Sequence, residues 1–248
     1  MPKNQEGSAK APVVFLAIII ICVAVLAVVS FSSRPQGQEN QGGNQGGGQT
    51  GPSFSEDFNS ATMASLQAAG WDNWSKTQMP EVLEGSTVNF HPEEISVTEN
   101  GTLKADGAGG FIYSASWSDY TLTFKFKQKV SSGNFWCGLA FRADSSWTSG
   151  LWPQNSYVLQ LNDTGSANKL WKIASGAWTS IASEGSSITL NDDNWHDVEL
   201  EANGGSLKVY IDNQLLLSAT DGTPLTSGSV GLLNCNGPVY FDDVVKSP

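Results

Sequence analysis

The sequence predicts an all-β domain, a two-sheet antiparallel jelly-roll sandwich, preceded by one transmembrane helix and a disordered linker. Three observations lead there. Apolar residues alternate with polar ones along several short C-terminal segments. Turn dipeptides separate those segments. A charge-free run of 21 residues, Ala11 to Phe31, and a Gly/Gln-rich stretch come before them.

Residues 1–10 read as a cytoplasmic stub carrying Lys3 and Lys10. Residues 11–32 read as a signal anchor, since about 20 apolar residues cross a bilayer core as helix. Lys3, Lys10 and the amino terminus lie before the run and Arg34 follows it. The positive-inside bias therefore places the N-terminus in the cytoplasm and the C-terminal domain outside the cell membrane. A cleaved signal peptide is the competing reading. Its apolar region spans about 7–15 residues and ends at an A-x-A-like site. This run is longer and ends Val28-Val29-Ser30-Phe31. Residues 33–52 are the linker. Between Pro35 and Pro52, Gly, Gln, Asn and Pro fill 16 of 18 positions, which leaves nothing to bury.

The remainder, 53–248, is the folded domain. Core-facing alternation places Leu122, Phe124 and Phe126 on one strand and Cys137, Leu139 and Phe141 on the next. Tyr157, Leu159 and Leu161 form a third set. Val198, Leu200 and Ala202 precede Leu207, Val209 and Ile211. Asn100-Gly101, Ser132-Gly133, Asn203-Gly204-Gly205, Asp221-Gly222 and Asn236-Gly237-Pro238 mark turns. No segment of the domain shows a helical period. The domain holds 10 Lys/Arg against 22 Asp/Glu, and the whole chain carries −11, which excludes nucleic acid as a partner. Three Cys exclude a disulfide framework, and 40% apolar content excludes a disordered chain.

The order of segments resembles the concanavalin A-like lectin/glucanase superfamily, with its laminin G-like and 3-keto-disaccharide hydrolase-like branches. The residues that carry the resemblance are Phe54-Ser-Glu-Asp-Phe58, Gly138-Leu-Ala-Phe-Arg142, Tyr157-Val-Leu-Gln-Leu161, Trp195-His-Asp-Val-Glu-Leu200, Leu207-Lys-Val-Tyr-Ile-Asp212 and Tyr240-Phe-Asp-Asp-Val244. The resemblance implies a jelly roll with a glycan site on one sheet or its rim. In some members it also implies a structural Ca²⁺ where the terminal strands meet. Glu56, Asp57, Asp242 and Asp243 are the oxygen ligands such an ion would find here, with turn capping as the alternative role. Family 16 glucanase relatives use alternating acidic residues on one strand. No E-x-D-x-x-E-like run exists in this chain, and Glu199 and Glu201 read as a solvated strand face.

Strand parity then selects a binding face. With Cys137, Leu139 and Phe141 inward, Trp136 and Arg142 face outward, joined by Gln160, Asn162, Leu170 and Lys172. Gly138 and Ala140 leave room beside them. An aromatic plane with fixed donors suits a sugar, although an ordinary solvated face has similar composition. Trp147 and Trp152 sit in a polar loop, either as a lid on the core or as the flank of a groove. Trp178 reads as a rim aromatic, and Trp71, Trp117 and Trp195 as core. Cys137 and Cys235 are a possible disulfide in an oxidising compartment, or two buried thiols. These residues give a lectin-like, non-catalytic module for a carbohydrate or glycoconjugate. The alternatives are a glycoside-acting hydrolase or lyase of the 3-keto-disaccharide hydrolase-like type, and a surface adhesion domain with a protein partner.

Overall fold

The computed structural model describes residues 53–74, 80–83, 86–89, 95–107, 109–128, 136–145, 153–162, 167–185, 188–235 and 238–248. The stub, the anchor and the linker lie outside the described residues. Among the described residues no helix is long and apolar enough to cross a membrane.

The chain order is β1 (Phe54–Glu56), α1 (Met63–Ala69), β2 (Trp71–Trp74), β3 (Pro80–Leu83), β4 (Ser86–Asn89), β5 (Ile95–Val97) and β6 (Leu103–Ala105). It continues with β7 (Gly109–Trp117), β8 (Tyr120–Gln128), β9 (Trp136–Ala143), β10 (Ser156–Asn162), β11 (Asn168–Ala174) and β12 (Ala177–Glu184). It ends with β13 (His196–Asn203), β14 (Ser206–Ile211), β15 (Gln214–Thr220), β16 (Gly228–Cys235) and β17 (Val239–Ser247). One sheet runs β15-β14-β13-β8-β17-β6-β5, with β1 paired to β17. The other runs β12-β11-β10-β9-β16-β7-β2, and β3 pairs β4 separately. All pairings are antiparallel.

The expected inward residues meet between the two sheets. Leu122, Phe124, Phe126, Val198, Leu200, Leu207, Val209 and Ile211 from one sheet pack against Cys137, Leu139, Phe141, Tyr157, Leu159 and Leu161 from the other. Period-two alternation puts every second side chain in this layer, and burial of that apolar area is the main term holding the sheets together. Trp71 is buried as expected, stacked on Phe111 at 5.0 Å, and Trp117 packs against Phe54 and Tyr120.

The expectation of no helix fails at α1. Thr62 and Ser65 form a capping box, and Gly70 closes the helix at φ 108. Seven residues are too few to show a period, so the caps were the readable trace.

Arg142 is the main correction. Parity puts it outside, yet it is fully buried. The β9–β16 register shifts between Ser229 and Gly231, and Arg142 has φ 47. That bulge turns its side chain toward one end of the sandwich. There its Nε donates to Ser118 O (3.0 Å) and Nη1 to Gly204 O (2.6 Å) and Leu225 O (2.9 Å). Nη2 donates to Asp119 Oδ1 (2.8 Å) and Ala202 O (3.2 Å). All five guanidinium N–H groups are used.

Lys172 is corrected likewise. It pairs with Tyr157 across β10–β11 and so shares the parity of Leu170, which is buried in the core. Its Nζ reaches Asp221 Oδ2 at 2.7 Å and Thr223 O at 2.6 Å. Tyr157 Oη donates to the same Asp221 oxygen at 2.6 Å. Burial alone would raise the Asp221 pKa, but the hydrogen bonds from Lys172 and Tyr157 outweigh it and hold the carboxyl at about 2.

Replacing Arg142 with Ala is expected to destabilise the domain by about 3–5 kcal/mol, read from urea unfolding midpoints. For Asp221 the folded pKa of about 2 lies below the ordinary 3.8. Its stabilisation is therefore complete above about pH 4 and disappears as pH falls toward 2. Asp221→Asn should lose roughly 2 kcal/mol at neutral pH and flatten the stability profile across that window.

Candidate functional site

The outer face of the seven-stranded sheet brings together a polar ladder and a group of indoles. Register sets Trp136 opposite Asn162, Gly138 opposite Gln160, and Val158 opposite both Ala140 and Trp171. Ile112, Ala140, Val158, Ile173 and Leu233 form a small buried apolar layer here, with Trp136 and Trp171 packed against it.

Trp171 Nε1 donates to Gln160 Oε1 at 2.7 Å. Gln160 Nε2 donates to Asn162 Oδ1 at 3.2 Å, and Asn162 Nδ2 donates to the Ala167 carbonyl. Gln160 and Asn162 are buried, so this chain of donors fixes both amides in one orientation. Lys169, paired with Gln160, holds its Nζ 5.0 Å from the Trp171 ring centre. Trp178 lies across from Ile173 on edge strand β12 and meets Trp171 edge-on at 5.9 Å. It is 37% exposed.

Of the expected ligand residues, Trp136, Gln160 and Trp178 share this face. Arg142 and Lys172 do not, and Trp147 and Trp152 lie outside the described residues. Trp171 and Lys169 were missed. The inward parity of Leu170 was the clue, because it turns both of its neighbours outward. Gly138 also changes meaning, since a Cβ there would overlap the Leu159 carbonyl oxygen. Backbone approach, rather than ligand space, requires that glycine.

Paired carboxylates do not occur among the described strand positions of this face. The carboxylate found at these described positions, Asp72, is on edge strand β2, four strand spacings or about 19 Å from Gln160.

The terminal strands do meet, with Glu56 opposite Val244. Ser55, Glu56, Asp57, Asp243 and Val245 line a recess of about 290 Å³. Each proposed ligand is already engaged. Glu56 accepts from the Phe58 N–H, Asp57 from Asn59, Asp242 from Asp243, and Asp243 from Lys125 at 2.7 Å. Burial, then the charges of Asp243 and Asp57, raise the Asp242 pKa. Among the described residues no group of three or more His, Cys, Asp or Glu could hold a metal.

The disulfide expectation also changes. Cys137 is buried and is not in a disulfide, and it pairs with Asn234 along the β9–β16 register, whereas Cys235 pairs with Trp136. The Cys137 thiol donates to Gln128 Oε1 at 3.7 Å. The side chain of Cys235 lies outside the described residues.

The family model for the 3-keto-alpha-glucoside-1,2-lyase-like domain matches residues 54–245. The chain belongs to this family. Like the family, the fold is a concanavalin A-like jelly roll. The chain is 27% identical over 143 residues to the levanase of Bacillus subtilis (strain 168), covering 58% of this chain and 20% of that protein. It superposes on a family 16 endo-glucanase from Bacteroides ovatus with a TM-score of 0.60 at 16% identity, covering 79% of this chain and 99% of that one. The β-glucanase of Bacillus licheniformis gives a TM-score of 0.56 at 16% identity, with 80% and 99% covered. These two structures establish the fold.

The engaged carboxylates at the β1–β17 junction give a direct prediction. Adding Ca²⁺ or EDTA should leave the thermal midpoint unchanged, measured by differential scanning calorimetry. A rise with Ca²⁺ would support an ion at Glu56, Asp57, Asp242 and Asp243.

Proposed function

We propose that this protein is a membrane-tethered, extracytoplasmic, lectin-like module that binds carbohydrate on the outer face of its seven-stranded sheet without catalysis. The observation that carries this reading is the Trp171–Gln160–Asn162 ladder between Trp136 and Trp178, on a face whose described strand positions hold no carboxylate pair. An indole plane stacks on the apolar C–H face of a pyranose or furanose ring. Oriented amides and the Lys169 ammonium meet its hydroxyls. Glycoside hydrolysis by the common route uses two carboxyl groups about 5–10 Å apart flanking the scissile bond, and the described strand positions of this face hold no such pair. The family and the levanase similarity support carbohydrate as the ligand class. Residues 11–32 would hold the module at the membrane, and residues 33–52 would give it a reach on the order of 25 Å.

The second reading is a glycoside-acting lyase or hydrolase, favoured by the family description itself. The two separate on product release. Incubating the protein with levan, laminarin and mixed-linkage glucan should yield retention on the polysaccharide and no new reducing sugar. Released sugar would overturn the non-catalytic reading. Trp178→Ala, at an exposed position, should weaken retention about tenfold with the thermal midpoint nearly unchanged. Unaltered retention would remove this face from the site.

A further inference from the structure

We propose that the domain carries a second carbohydrate-binding surface, on the outer face of the eight-stranded sheet. It is centred on Trp195 and Tyr240 and continues into the adjoining groove. The proposal shares its ligand class with the reading above but uses none of the same residues.

Trp195 was expected in the core and is instead 41% exposed. It immediately precedes His196, which pairs with Phe126 on the inward parity. Alternation therefore turns Trp195 outward beside Lys127. The Lys127 Nζ lies 5.6 Å from the Trp195 ring centre and 5.1 Å from that of Tyr240. Lys104 approaches the Tyr240 ring from 5.9 Å. Two aromatic rings are thus held on one solvent-facing surface around a shared cation.

The same strand face continues from Lys127 to Lys125 and Thr123. There a groove of about 700 Å³ opens, lined also by Asp197, Glu199, Glu201 and Tyr210. That size lies within the range of small-ligand sites, about 300–1,000 Å³. Pairing places Glu199 between Thr123 and Tyr210, and Asp197 beside Lys125.

The chemistry selects a neutral oligosaccharide. Carboxylates accept hydrogen bonds from adjacent hydroxyls, and the nearby rings offer stacking planes. The excess of carboxylates over ammonium groups in the groove repels acidic polymers. Its ion pairs, Lys125–Asp243 at 2.7 Å and Lys208–Glu201 at 2.9 Å, are partly exposed. Such pairs contribute little and can exchange for sugar hydroxyls at small cost. With a site on each outer face, one domain would bridge two glycan chains.

The test is affinity electrophoresis of the full-length chain in detergent through gels containing levan, laminarin or mixed-linkage glucan. Thermal midpoints serve as the folding control. Trp195→Ala and Tyr240→Ala are each expected to weaken retardation about tenfold. Combining Trp195→Ala with Trp178→Ala should abolish it. The proposal is overturned if Trp195→Ala, Tyr240→Ala and Glu199→Gln all migrate as the unmodified chain does. Absence of retardation of that chain in all three gels overturns it as well. If Trp178→Ala has no effect while Trp195→Ala abolishes retardation, the first face fails and this one stands.

Discussion

A single buried guanidinium ties one end of the sandwich together. Arg142 reaches the β7–β8 turn through Ser118 and Asp119, the β13–β14 turn through Ala202 and Gly204, and the segment before β16 through Leu225. These segments belong to both sheets. A buried charge is tolerated only when its donors are satisfied, so the turns must adopt the positions that satisfy them. The Lys172–Asp221–Tyr157 cluster does the same for the segment from Asp221 to Leu225. Tyr157 Oη both donates to Asp221 and accepts from the Leu225 N–H. Leu225 is thereby the residue where the two polar networks join.

This polar end frees the outer face of the seven-stranded sheet from structural cations. Arg142 and Lys172 are absorbed below, and the middle of the face is left with aromatic, amide and apolar side chains and the Lys169 ammonium. The apolar layer around Val158 and Ile173 supports Trp136 and Trp171 from beneath, and the amide ladder fixes the indole N–H of Trp171. A preorganised surface of this kind loses little side-chain freedom when it binds. On the outer face of the opposite sheet Asp197, Glu199 and Glu201 lie along β13 beside Lys125 and Lys208, and the exposed Trp195 ring lies 5.6 Å from the Lys127 ammonium. The two outer faces therefore differ in chemistry, one amide-lined over an apolar layer, the other acidic.

The comparison with strand parity shows where local pattern reaches its limit. Parity located Leu122, Phe124, Phe126, Leu139, Phe141, Leu159 and Leu161 in the core, because one buried face per strand imposes a strict alternation. It placed Trp136, Gln160 and Asn162 on the outer face for the same reason. It failed at Arg142, where a bulge inserts a left-handed residue and re-aims the side chain. On β11 it turns Leu170 and Lys172 outward, whereas Lys172 pairs with the buried Tyr157 and Leu170 is in the core. Trp195 reads as core from its packing motif, yet the strand's inward parity begins at His196.

The sequence by itself determined the periodicity, and with it the all-β class, the inward residues and the acidic, aromatic-rich character of the domain. These follow from the two-residue repeat of a strand and need no knowledge of neighbours. Only the tertiary structure decided which long polar side chains are built into the interior and which stay on an outer face. A lysine or arginine at a strand end can turn toward solvent or toward a cluster of turn carbonyls. The choice depends on carbonyls and carboxylates contributed from far along the chain, such as Gly204, Asp221 and Leu225.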